Sequence, residues 1–198
     1  MAGSVMPFNL VTMALLFEGG LFILAWALGW FLDQPVLERI NLRWDAIILG
    51  VLATGPLLLG MWWFTALRWA PVRRLMREVE EKIVPAFARS SLSELALICI
   101  LAGLGEESLF RGVIQTTLTD VFNPWTGLVL TSAVFGIGHL VTPSYGILAG
   151  VIGLYLGALS MLHQNLLLVI TVHALYDFVA LFYLIRKHRR KCKMEIAN

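Results

Sequence analysis

Long apolar runs separated by short polar breaks dominate the chain. Six of them approach the roughly 20 residues a helix needs to cross a bilayer. They cover about 8–32, 44–67, 92–119, 125–141, 145–163 and 165–185. Turn residues in "FNPW" (122–125) and "TPS" (142–144) separate neighbouring runs, and "HQN" (163–165) forms a tight polar link. Between the second and third runs the pattern changes. In "PVRRLMREVEEKIVPAF", Val72, Leu75, Met76, Val79, Ile83 and Phe87 recur at helical spacing with charges between them, and Pro71 suits a first helical position. That predicts an amphipathic helix lying on the cytoplasmic membrane face. A solvated connector is the plainer alternative. In the fifth run, Gly146, Gly150, Gly153 and Gly157 share one helix face, which predicts a close approach to a neighbouring helix.

The expected fold class is therefore all-α: a polytopic membrane helix bundle of about six transmembrane helices plus one amphipathic helix. Three regions follow: two spans and the amphipathic loop in 1–91, a four-helix core in 92–185, and a basic tail in 186–198.

Composition supports the membrane class. Hydrophobic residues make up 59% of the 198 and charged residues 14%, where a soluble domain carries about 25% charged residues. Mean hydropathy is +0.80. The two cysteines, Cys99 and Cys192, form no CxxC pair and suggest neither a disulfide framework nor a zinc finger. Residues 1–7 lack a basic region and the run that follows is longer than a signal core, so the first run is expected to be retained as a span.

The basic residues set an orientation. Arg68, Arg73, Arg74, Arg77, Lys82 and Arg89 lie between runs two and three, and Arg186, Lys187, Arg189, Arg190, Lys191 and Lys193 follow run six. Only Arg39 and Arg43 fall on the other side, and Arg111 lies within a run. By the positive-inside rule both termini are cytoplasmic, which requires an even number of spans. The small size of the chain points to a bacterial plasma membrane. The lipid bilayer is an expected partner, and nucleic acid is not.

Glu18, Glu106, Glu107, Arg111, His139, His173 and Asp177 lie inside the apolar runs. A charge at the centre of a membrane helix costs about 2.5–3.5 kcal/mol on insertion scales, so such residues tend to gather inside the bundle and serve a function. Glu107 and Arg111 are four apart and can pair on one helix face. Glu106, five from Arg111, turns about 140° away and is left as a free carboxylate. His173 and Asp177 are four apart, so the carboxylate can orient the ring. Phe135 and His139 have the same spacing. Each member also has a structural reading: a hydrogen-bonding interhelical histidine, an internal ion pair, or, for Glu18 in "FEGG", a structural or interfacial carboxylate. A carboxylate with a histidine can hold and deprotonate a water, and a second histidine can stabilise the resulting oxyanion; this is amide hydrolysis without a covalent intermediate. No GxSxG or HExxH motif is present.

"EESLFR" fits EExxxR, "FGIGH" fits FxxxH, and "HALYD" fits a histidine followed four residues later by asparagine or aspartate. In this order, on apolar runs, the segment of about 90–185 resembles the CAAX prenyl protease and bacteriocin-processing (CPBP) family of glutamic intramembrane proteases. The resemblance implies a general base at Glu106, a water-holding His139, an oxyanion side at His173 and position 177, and support from Glu107 and Arg111. Well-understood members carry asparagine at the last position. Asp177 would repel an oxyanion if ionised, so it is expected to orient His173 or to be protonated. The substrate implied is a membrane-bound or lipidated protein or peptide, with no cofactor. Three other readings remain: a zinc site built from the same residues, a non-catalytic scaffold or chaperone of the same fold, and a small proton-coupled transporter.

Measured from the start of run three, Glu106 is about 21 Å deep, whereas His139 falls near the cytoplasmic end of run four. Tilt, a later start to run three, or a break at Gly103 or Gly105 are the expected ways to bring the two together.

Overall fold

The structure is a computed structural model that describes residues 10–67 and 69–196. Residues 1–9, Arg68 and residues 197–198 lie outside it. The start of the expected first span, one basic loop residue and the tip of the basic tail are therefore not described. The described elements are all helical. They are α1 (Leu10–Phe31), a 3-10 turn (Val36–Arg39), α2 (Trp44–Ala66), α3 (Ala70–Lys82), α4 (Val84–Phe87), α5 (Leu92–Glu107), a π-helical segment (Ser108–Ile114), α6 (Gln115–Val121), α7 (Pro124–Gly138), α8 (Pro143–His163) and α9 (Leu166–Ile196).

Polar contacts define two ends of the bundle. At one end, Gln34 donates to Asp120 at 2.7 Å, and Asn165 bonds with the backbone of Asn41 in both directions. At the other, Thr142 donates to Glu78 at 2.6 Å, Lys187 to Glu80 at 2.5 Å, and Arg189 to the Ala88 carbonyl at 3.0 Å. The described chain thus passes between the two ends through α1, α2, the continuous α5–π–α6 rod, α7 with the turn that follows it, α8 and α9. The basic residues of the α3–α4 segment and the visible tail gather at the second end.

Exposed tryptophans mark the same two levels. Trp30, Trp44 and Trp125 lie near the first end and Trp62, Trp63 and Trp69 near the second. Nineteen helical residues separate Trp44 from Trp63, or about 28 Å. That matches a bilayer core of about 30 Å with an aromatic belt at each interface.

Among the described residues, four helices are long and apolar enough to cross a membrane: 12–31, 44–66, 143–163 and 166–190. The pair 70–87 and 92–121, bent by 113°, raises the number of candidate spans to five. Of the six expected spans, four to five meet this measure of length and composition. The expected run 125–141 is the 15-residue α7, which rises only about 22 Å.

Local chemistry explains the helix starts. Ser91 and Glu94 form a reciprocal capping box on α5, with Ser91 N–H donating to Glu94 at 2.7 Å. Asn123 and Thr142 cap α7 and α8, each followed by a proline at the first helical position. The amphipathic segment forms as α3 and breaks at Ile83, before Pro85. Its apolar face does more than rest on lipid. Leu75, Val79 and Val84 are buried in one cluster with Leu95, Cys99, Leu184 and Ile185, so this segment forms a wall against α5 and α9.

No break occurs at Gly103 or Gly105. The helix continues through both, and the irregularity comes later, in the π segment directly after the two glutamates. Such widened turns recur at functional sites. The glycines bring helices together. A Cβ at Gly136 would lie 2.7 Å from the Gly146 carbonyl oxygen, and one at Gly103 would lie 2.9 Å from that of Ile170. These contacts set the α7–α8 and α5–α9 approaches.

Candidate functional site

Polar residues of three helices meet in the middle of the bundle. Glu106 and Glu107 end α5, His139 caps the C-terminus of α7, and His173 and Asp177 lie one turn apart on α9. The depth puzzle resolves when both chains are measured from the first end of the bundle. Glu106 lies fifteen residues from Val121, and His139 lies fifteen residues from Pro124. Each is about 22 Å in. Because α7 is short, its last residue stops inside the protein at the level of Glu106.

Glu107 is fully buried and holds two cations or donors at once. Its Oε1 accepts from Arg111 Nη1 at 2.8 Å and from His173 Nδ1 at 2.7 Å. A carboxylate only accepts, so His173 carries a proton on Nδ1 and turns Nε2 toward Glu106 Oε2, 4.0 Å away, and Asp177 Oδ2, 3.4 Å away. Asp177 was expected to orient the ring. The structure gives that contact to Glu107, 66 residues away in sequence. Four residues along the helix places Asp177 beside the opposite ring nitrogen, on the open side, where its side chain is 36% exposed.

The second histidine is fixed differently. His139 Nδ1 donates to the Phe135 carbonyl oxygen at 2.9 Å, the bond that the FxxxH spacing makes possible. Its Nε2 therefore presents a lone pair, 3.5 Å from Glu106 Oε2. Phe135 also carries the guanidinium of Arg111 over its ring at 4.4 Å and lies against the His139 ring at 4.4 Å. Arg111 Nη2 donates to the Gly153 carbonyl at 3.0 Å. A Cβ at Gly153 would meet Phe135 and Arg111 at 3.3–3.4 Å, so glycine lets the guanidinium in. One turn further, Gln115 Nε2 makes the same kind of bond to the Gly157 carbonyl at 3.0 Å. The glycine face of α8 thus packs closely and also bares two carbonyls to α5–α6.

Glu106, His139, His173 and Asp177 line one cavity of about 510 Å³. Its remaining walls are mostly apolar and come from α2, α3, α5, α8 and α9, with Phe64, Leu75, Ile83, Leu148 and Leu181 among them. Glu107 and Arg111 stand behind it. Glu18 also lines this cavity, and its buried Oε2 has no protein partner. The Glu18 carbonyl oxygen packs on the Cα of Gly105, which brings α1 against α5 immediately before the glutamates. The sequence separates Glu18 from the other site residues by more than 85 positions. Its only signal was that of a carboxylate inside an apolar run. Among the described residues no group of three or more His, Cys, Asp or Glu is arranged to hold a metal ion.

The fold and this buried carboxylate–histidine group define an integral membrane protein with a polar site inside its helix bundle. Residues 88–179 match the family described as Rce1-like, type II CAAX prenyl endopeptidase. The matched segment, which contains every site residue except Glu18, is thus similar to a family of proteases. No curated protein and no solved structure matches the chain.

Proposed function

We propose that this protein is a glutamate-dependent intramembrane endopeptidase acting on a membrane-bound or lipidated protein. The observation that carries the reading is the facing pair Glu106 Oε2 and His139 Nε2, 3.5 Å apart. His139 is held with its lone pair outward, and Glu106 Oε2 has no protein donor. Two acceptors so placed can take both protons of one water and leave its lone pair free to attack. The match of residues 88–179 to this endopeptidase family supports the reaction class.

In this mechanism the water oxygen bonds to the carbonyl carbon of the scissile amide as Glu106 takes a water proton. The carbonyl electrons move to oxygen, and the oxyanion is stabilised by His173 Nε2–H, with Glu107 holding the ring as an imidazolium from its Nδ1 side. Collapse breaks the C–N bond, and the proton on Glu106 passes to the leaving nitrogen. The products are a carboxylic acid, which ionises by losing the second water proton to solvent, and an amine. The apolar walls beside these residues suit a membrane-embedded or lipid-bearing segment. The clustering of basic residues at one end supports placing that end, with both termini, in the cytoplasm of a bacterial cell.

New protein termini in membranes from cells expressing wild type and Glu106→Gln test this. Termini that depend on Glu106 are expected, and identical sets would refute the reading. Purified enzyme treated with chelators provides a second arm: inhibition reversed by zinc would replace this mechanism with a metal-dependent one.

A further inference from the structure

A second cavity, of about 350 Å³, enters the bundle from the end opposite the basic residues. Its mouth carries the exposed residues Asp120, Pro124 and Gln164, and its floor is Arg111 and Gln115, which are 1% and 3% exposed. The walls between are largely polar, including Arg39, Thr116, Thr119 and Ser160. From Asp120 down to Arg111 the rod descends nine residues, or about 13 Å at helical rise. A polar recess this deep in a membrane protein needs an occupant that can satisfy it.

The unpartnered atoms indicate which occupant. Arg111 Nε and Arg39 Nε are buried donors without a protein partner, and Gln115 Oε1 is a buried acceptor without one. The occupant must therefore both accept and donate. The carboxylate of Asp120 at the mouth opposes an anion, and the two guanidiniums oppose a cation. At about 30 Å³ per molecule, the volume holds about ten waters.

We infer that this cavity is a hydrated vestibule that carries water from the non-basic face of the protein down to Arg111. Arg111 floors this vestibule, whereas Phe135, under its guanidinium at 4.4 Å, lines the Glu106 cavity. The layer between the two recesses is thus one stacked side-chain pair. The inference does not depend on the proteolytic reading.

Cysteine accessibility tests it, with protein in lipid nanodiscs and a Cys99→Ala, Cys192→Ser background. Thr119→Cys probes the mouth and Thr116→Cys a position deeper by most of a turn. Leu154→Cys, on an exposed apolar face of α8 between the levels of Gly153 and Gly157, is the membrane control. The probe is a charged methanethiosulfonate, which reacts with thiolate and so requires hydration. Thr116→Cys is expected to react within about tenfold of Thr119→Cys, and Leu154→Cys about a hundredfold more slowly. The Thr116 hydroxyl bonds only within its own helix, so the substitution leaves helix packing intact. Ser160→Cys, on the α8 wall, gives a second reading. If both Thr116→Cys and Ser160→Cys react as slowly as Leu154→Cys, the vestibule is dry and the inference is wrong.

Discussion

Replacing Glu107 by glutamine removes one charge from a centre where two groups, Arg111 and His173, depend on it. Arg111 and Glu107 have no exposed side-chain area, and His173 has 7%. In Glu107→Gln the amide oxygen can still accept one hydrogen bond, but the guanidinium has lost its counter-charge and the imidazole its anionic anchor. Breaking a buried pair in this way costs about 3–5 kcal/mol, because the remaining ion is uncompensated. For a chain of this size each kcal/mol moves the melting temperature by about 2–4 °C, so the fall should be about 6–20 °C. Glu106→Gln is the matched control. Its buried Oε2 receives no protein hydrogen bond, so the amide forfeits no native partner and the melting point should barely move. Adding Arg111→Met to Glu107→Gln should recover part of the loss, since it removes the stranded cation and keeps much of the volume. The measurement is thermal unfolding of the three variants in one detergent. Equal melting points for Glu107→Gln and Glu106→Gln would refute the assignment of Glu107 as the structural anchor.

His173→Ala should reduce cleavage far more than Asp177→Ala, because Glu107 rather than Asp177 fixes the ring; equal losses in kcat would return the orienting role to Asp177. Asp177→Asn should retain cleavage within about tenfold, as a single charge-assisted contact at 3.4 Å is worth at most about 1.5 kcal/mol, and a larger loss would show that its ionisation is required. Gly136→Ala should destabilise by about 1–3 kcal/mol because its Cβ meets the Gly146 carbonyl, while Gly138→Ala, which faces open space, should be neutral in the same melts. Single cysteines near positions 80 and 190 should resist impermeant reagents in intact cells, and ready labelling at either would overturn the proposed orientation.

The helical period carried much of the site. Glu107–Arg111 and Phe135–His139 are contacts between residues four apart, and any α-helix places such residues on one face. The short length of α7 was also visible in outline, since Pro124 and the "TPS" turn limit it. Depth was misjudged because it was measured from the membrane surface at the basic end. The relevant reference is the turn at 122–123, from which two adjacent helices start level. The π segment had no sequence signal, because a widened turn reflects how a helix accommodates its packing rather than the propensity of "SLFRGVI".

The sequence by itself determined that this chain enters a membrane, which of its ends is basic, and which polar residues lie inside its apolar runs, because hydropathy and charge act locally and need no partner. It also determined the pairs within each helix. Only the tertiary structure decided which nitrogen of His173 is held by Glu107, that Glu18 lines the same cavity, and that Arg111 faces a second, polar recess. Those outcomes depend on the rotation and axial register of one helix against another. Both are set by small-residue contacts such as Gly105 on Glu18 and Gly136 on Gly146, where a shift of one residue would carry a side chain about 100° around its helix and out of the site.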